Sequence, residues 1–187
     1  MNIRLDVKNM VCNRCIKVVR DELIKHEIDF VRIDLGAIFF DKAISQEDYL
    51  NIVNILEKEG LELIEDRDSK VVNQIKTIII EKIHYQYEKA EHQKISAYLP
   101  LKIKMEYTQL SKIFSKTEGR TIENYVIAQK VEKAKELLVY DEMTLSEISY
   151  LLNYSSPQHL SRQFKKVTGL TPSEFKKIGE RKKLDTI

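Results

Sequence analysis

The sequence predicts an α+β chain in two parts. A six-element βαββαβ sheet unit comes first, and an all-helical region with two helix-turn-helix modules joined by a long helix follows. Three observations predict this. Strand-type alternation is confined to residues 1–65. Beyond it, apolar residues recur at helical spacing between capping residues and glycine stops. One motif also occurs twice, 50 residues apart. Its first copy is Leu110-Ser111-Lys112-Ile113-Phe114-Ser115-Lys116 with Gly119 and Thr121. Its second is Leu160-Ser161-Arg162-Gln163-Phe164-Lys165-Lys166 with Gly169 and Thr171. Shared Leu, Ser, Phe, Lys, Gly and Thr at equal offsets read as two copies of one small module.

In residues 3–11, Ile3, Leu5 and Val7 alternate with Arg4, Asp6 and Lys8, which predicts a half-buried strand. A helix is expected from Cys15, with Ile16, Val19, Leu23 and Ile24 as its apolar stripe. Strands are expected over 30–35 and 37–41, with a turn at Gly36. Ser45 and Asp48 form an approximate capping box for a helix that carries Tyr49, Ile52, Val53 and Leu56 and stops at Gly60. A last strand covers 61–65. The order β-α-β-β-α-β predicts a ferredoxin-like fold over 1–65, a sheet with two helices on one layer.

Asp66-Arg67-Asp68-Ser69-Lys70 is polar and is expected as a linker, leaving 71–187 as the helical domain. Residues 71–94 read as one helix, apolar at Val72, Ile75, Ile79, Ile83 and Tyr87, and a further helical segment follows around 93–101. A helix is expected over 106–117. Thr121 caps a long one to 139, with Ile122, Tyr125, Val126, Ala134, Leu137 and Leu138 inward. Thr144-Leu145-Ser146-Glu147 is a capping box for a helix ending near Asn153. Ser156-Pro157 opens the next, since proline at the first helical position loses no hydrogen bond. Gly169 ends it, and Thr171-Pro172-Ser173-Glu174 opens the last.

Charge is uneven. Residues 1–65 carry nine Lys and Arg against 13 Asp and Glu, and residues 66–187 carry 22 against 16. A positive helical half favours a polyanionic partner, and an acidic first part argues against the whole surface binding DNA. No apolar window has the length of a membrane span and no signal peptide is read, so the cytoplasm is expected.

In the second module, Leu160, Phe164 and Val167 are spaced to form one inward face of helix 157–167. Pro157, Gln158, Ser161, Arg162 and Lys165 fall on the other. In a helix-turn-helix the second helix enters the major groove. Gln158 suits adenine and Arg162 suits guanine, while Ser161 and Lys165 reach phosphate. His159 lies between the faces and is expected to pack or to cap. In the first module, Tyr107, Thr108, Ser111 and Lys112 face outward, with Leu110 and Phe114 inward, but residues 100–106 carry no clean turn signal. With helix 121–139 as a spacer, both reading helices are expected in successive major-groove turns, about 34 Å apart.

Residues 144–177, TLSEISYLLNYSSPQHLSRQFKKVTGLTPSEFKK, resemble the C-terminal signature of the AraC/XylS family of bacterial transcription regulators. Ile148, Leu152, Leu160, Arg162, Phe164-Lys165-Lys166, Gly169, Thr171-Pro172 and Phe175 fall where that family places them. Residues 120–138 resemble its linker helix. Asn153 stands where a turn glycine is usual, and Asn tolerates the left-handed region. The resemblance implies sequence-specific binding to double-stranded promoter DNA, often as an activator that contacts RNA polymerase.

Met10-Val11-Cys12-Asn13-Arg14-Cys15 lies where the first strand gives way to the first helix. Position and order resemble the heavy-metal-associated domain, with Asn9 in place of its usual glycine. Three readings stand for Cys12 and Cys15: a Cu(I) or other soft-metal site, a dithiol redox switch, or a domain used for docking or homodimerisation with no ion bound. Zn²⁺ would need further ligands. His26, His84 and His92 are metal candidates by composition only. Competing functions are a metal chaperone or sensor whose helical part docks a protein, and sequence-blind DNA binding. An enzyme is not expected, because no acid, base and nucleophile set or glycine-rich phosphate loop converges; glycine totals five.

Overall fold

The computed structural model describes residues 3–85 and 94–184. The described residues fall into two compact units that do not follow chain order. One unit comprises Met1–Ile78 and Leu99–Thr117, and the other Ile79–Tyr98 and Glu118–Ile187. The helix holding the first copy of the repeated motif therefore belongs with the sheet, and the second copy does not.

The first unit is built on four strands, β1 (Ile3–Lys8), β2 (Arg32–Asp34), β3 (Ala37–Phe40) and β4 (Glu62–Ile64). They form one antiparallel sheet in the order β2-β3-β1-β4. Ile3 pairs with Phe40, Leu5 with Ile38 and Val7 with Leu63, so the apolar alternation of each strand meets its neighbour on one face. Val7, Ile33, Ile38 and Phe40 are buried there with Val19 and Leu23 of α1 (Asn13–Lys25) and Ile52, Ile55 and Leu56 of α2 (Gln46–Lys58). On the other face Arg32 lies 3.9 Å and Arg4 5.6 Å from the Phe39 ring centroid.

Several expected bounds move. The first strand stops at Lys8 rather than residue 11, because Asn9 adopts φ +69 and turns the chain. The first helix begins at Asn13, with Cys12 as its N-cap. Ile24 is 61% exposed, since Val19 and Leu23 fill the buried stripe and Ile24 lies off it in the final turn. Ser45 caps α2 as expected, accepting from the Asp48 N–H at 3.0 Å.

The polar stretch 66–70 is not an extended linker. Helix α3 (Arg67–Ile80) begins inside it, capped by Asp66, whose carboxylate accepts from the Ser69 N–H at 3.0 Å. A capped first turn and a linker share the same polar composition, so the stretch alone does not tell them apart. Helix α3 is followed by a π-helical turn, Glu81–Tyr85, where an unbroken helix is expected. Tyr87, His92 and the rest of 86–93 lie outside the described residues.

Next come α4 (Ile95–Ile103), α5 (Tyr107–Glu118), α6 (Ile122–Tyr140), α7 (Leu145–Leu151), α8 (Pro157–Thr168) and α9 (Pro172–Leu184). In the second unit α6, α7, α8 and α9 pack together. Val131, Ala134, Ile148, Leu160 and Phe164 are all fully buried there. Thr121 caps α6 and Thr144 completes a capping box on α7. Thr171 and Glu174 make the same reciprocal pair at α9. Gly119 and Gly169 sit at φ +67 and +81 and end the two equivalent helices α5 and α8, which explains why the repeat keeps both. Val167, expected inward, is 48% exposed. It lies in the last turn of α8, past the point where Phe164 meets Phe175 at 5.5 Å.

Candidate nucleic-acid interface

The second module is a short helix, a tight turn and a longer helix. Helix α7 buries Ile148, and Leu152 closes it. Asn153 then takes φ +53, the left-handed conformation expected of a residue in a glycine's place. Ser156 caps α8 by accepting from the His159 N–H at 3.1 Å, with Pro157 in the first turn. Leu160 and Phe164 are wholly buried on the inner face of α8. Gln158, Arg162 and Lys165 are exposed on the other, with Pro157 and Ser161 half-buried beside them. At spacings of four and three residues the three long side chains share one helix face. Arg162 is free to extend from it: its polar contact among the described residues is one 3.4 Å hydrogen bond from Nε to the Gln158 carbonyl.

Two residues not singled out from the sequence hold this turn. Lys130 of α6 donates to the Asn153 carbonyl at 3.4 Å, and its ammonium lies 4.9 Å from the Tyr154 ring centroid. Burial pushes the Lys130 pKa down. Burial also pushes the Tyr154 phenol up to about 12, and its hydroxyl finds no hydrogen-bond partner among the described residues. His159 packs edge-on against Tyr154 at 5.3 Å and pairs with Ser155 at 3.0 Å, while remaining exposed. The local signal for Lys130 is weak, since its partners are 23 residues away in sequence.

The first module has the same plan with different chemistry. Lys104 makes its turn at φ +59, which accounts for the missing glycine or asparagine signal. Helix α5 buries Leu110 and Phe114, leaves Thr108 and Lys112 exposed, and holds Tyr107 and Ser111 half-buried. Lys116 is drawn 3.5 Å from Asp68 of α3, so one motif lysine faces a carboxylate.

Cys12 and Cys15 converge as their spacing predicts, with sulfurs 2.9 Å apart. The Cys12 sulfur also accepts from the Cys15 N–H at 3.4 Å. The Cys15 thiol hydrogen bond, then the backbone N–H groups of the first turn, hold the Cys12 pKa below the usual thiol range. Burial and the same thiol contact push Cys15 up. Two sulfurs sharing one tetrahedral Zn²⁺ at about 2.3 Å each stand about 3.8 Å apart. A linear two-coordinate ion holds them further apart still. Either geometry asks the two sulfurs to open from 2.9 Å, and no group of three or more His, Cys, Asp or Glu that could hold an ion occurs among the described residues.

A capped second helix with a polar outer face, set by a short turn against a supporting helix, defines a helix-turn-helix protein. Residues 102–178 match the family model described as a helix-turn-helix domain. The xylose operon regulatory protein of Escherichia coli (strain K12) is 35% identical over 71 residues, 38% of this chain and 18% of that protein. The Msm operon regulatory protein of Streptococcus mutans is 28% identical over 132 residues, 69% of this chain and 45% of that protein. The chain thus spans less than half the length of these curated relatives. In fold, it resembles the C-terminal domain of AraT, a response regulator from Geobacillus stearothermophilus, with a TM-score of 0.50 and 21% identity, covering 60% of this chain and 88% of that one. Residues 102–178 form a helix-turn-helix DNA-binding domain, and the relatives they match are operon regulatory proteins. No described helix is long and apolar enough to cross a membrane.

Proposed function

We propose that the chain is a sequence-specific regulator of transcription in which α8 reads bases in the major groove and α5 supplies a second contact. One observation carries this reading. Gln158, Arg162 and Lys165 share the exposed face of a helix whose opposite face, Leu160 and Phe164, is wholly buried. The buried face anchors the helix, so its outer side chains are presented on a rigid element. Gln158 matches the adenine edge and Arg162 the guanine edge, while Lys165 and Ser161 serve phosphate. In α5, Thr108, Ser111 and Lys112 offer shorter side chains and one lysine, a set better suited to backbone positioning than to base reading.

The sheet unit reads as ferredoxin-like. The element order βαββαβ and the strand order β2-β3-β1-β4, antiparallel throughout, support that reading. In this scheme the sheet with α1 and α2 receives a signal, and the helices from α4 onward act on DNA.

Selection of bound duplexes from a random pool, followed by competition with unselected DNA, tests the proposal. A regulator prefers its site by at least about a thousandfold. Equal binding to all duplexes would leave only sequence-blind DNA binding.

A further inference from the structure

We propose that Cys12 is a site of thiol–disulfide exchange with small disulfides, that Cys15 resolves the adduct, and that closure of the pair is passed through Gly36 and Asn73 to the α3–α5 half of the DNA-binding region. The readout on DNA rests on the reading of the chain as a DNA-binding regulator.

The pair is asymmetric. Cys12 stands at the N-cap of α1, partly exposed, where N–H groups of the first turn face its sulfur. Cys15 sits one turn in and packs against the apolar core of the sheet. The Cys12 thiolate attacks a disulfide RSSR, forming a Cys12–SR bond and expelling one thiolate RS⁻. Cys15 gives its proton to solvent, attacks the Cys12 sulfur and expels the second RS⁻. The chain loses two electrons and two protons, and RSSR becomes two RSH. The 2.9 Å sulfur gap must shorten to about 2.05 Å. The closing sulfurs move at the N-cap of α1, where Cys12 accepts from the Cys15 N–H at 3.4 Å.

That movement falls on a loop with little slack. Met10, two residues before Cys12, is 1% exposed, and its carbonyl accepts from the Gly36 N–H at 3.0 Å. The Gly36 carbonyl accepts from the Val7 N–H at 2.9 Å and from the Asn73 side-chain amide of α3 at 3.0 Å. Gly36 adopts φ +71, and a Cβ added there would lie 2.6 Å from Thr77 Oγ1 and 3.0 Å from Asn73 Nδ2. The Thr77 and Asn73 side chains of α3 pack against this turn, so a shift of Gly36 reaches α3 through them and the Asn73 hydrogen bond. At its other end α3 carries Asp68, whose part-exposed carboxylate lies 3.5 Å from the Lys116 ammonium of α5. A continuous set of contacts thus runs from the thiols to the helix of the first module.

The test equilibrates the full chain in buffers of stepped reduced-to-oxidised glutathione ratio. Free thiols are counted by alkylation and mass, and affinity for a selected duplex is measured at each step. Both thiols should disappear together, with affinity changing in step by at least about fivefold. Cys15→Ser should trap one glutathionyl adduct on Cys12, while Cys12→Ser should leave Cys15 free. Asn73→Ala should close its thiols as before but lose the affinity change. Thiols that stay alkylatable at every ratio would overturn the proposal, as would closure with unchanged affinity. Protection of the thiols by Cu(I) alone, without closure in glutathione, would overturn it in favour of a metal site. Failure to bind any duplex in either state would sink the DNA reading and the coupling with it, while the alkylation pattern would still decide the exchange site.

Discussion

Arg162→Ala is the sharpest probe of how α8 works. In the free protein Arg162 is exposed, and its contact is a long hydrogen bond to a carbonyl four residues back on the same helix. No carboxylate among the described residues pairs with it, so truncation removes almost nothing from the fold. Exposed substitutions of this kind change stability by within about 0.5 kcal/mol. On DNA, a bidentate contact from Arg162 to guanine contributes about 1–3 kcal/mol, a 5- to 150-fold loss of affinity at the selected site. The loss should fall on one base position: the variant should bind equally well whichever base stands there. Titration of the wild type and the variant against the selected duplex and its single-position substitutions measures both effects. Lys165→Ala is the contrast, with uniform weakening on every duplex and a salt slope smaller by about one. Loss by Arg162→Ala at all positions alike would make it a phosphate contact. A fall of several degrees in its melting temperature would make it structural, and either result refutes the base-reading role.

Tyr154→Phe should leave the protein as stable or make it more so, by up to about 1 kcal/mol, because the buried hydroxyl has no partner to lose. A lower denaturant midpoint in the variant would show that the hydroxyl is satisfied. Asn153→Ala should cost about 1–2 kcal/mol, since alanine resists the left-handed φ of +53 that Asn153 holds, whereas Asn153→Gly should cost little. Equal midpoints for the two would mean that the turn relaxes. Glu147 and Glu174 close the capping boxes of α7 and α9, and their hydrogen bonds with Thr144 and Thr171 hold both carboxyls below the usual range. Their contribution is therefore present above the ordinary glutamate pKa and is lost as pH falls through the depressed folded value. Protection of the first-turn amides of α7 and α9, measured against the unstructured exchange rate at the same pH, should fall in that acid window ahead of the rest of the second unit. Protection factors at these turns that stay level through the acid window, or that fall only above neutrality, would refute the capping account.

Local chemistry was legible before any fold was known. The Thr144–Glu147 box, the Ser156-Pro157 start, the Gly169 stop and the left-handed Asn153 each depend on residues within one turn of chain, and each appears where its own neighbours require it. The apolar periods that bury Leu160 and Phe164, and so leave Gln158, Arg162 and Lys165 outside, are equally local. Two features misled at short range. A capped first turn of α3 has the composition of a linker, and Lys104 makes its turn without the glycine or asparagine that usually announces one.

The sequence by itself therefore determined most of the elements, the outward face of α8 and the meeting of Cys12 with Cys15, because those follow from helical and strand periods and from caps. Only the tertiary structure decided which elements share a unit. It set α5 with the sheet, Lys130 under the Asn153 turn, Asn73 on Gly36 and Lys116 beside Asp68. The paired residues among them lie between 23 and 48 positions apart in the chain. Packing brings them together, and packing depends on the shape of whole surfaces, which no local period encodes.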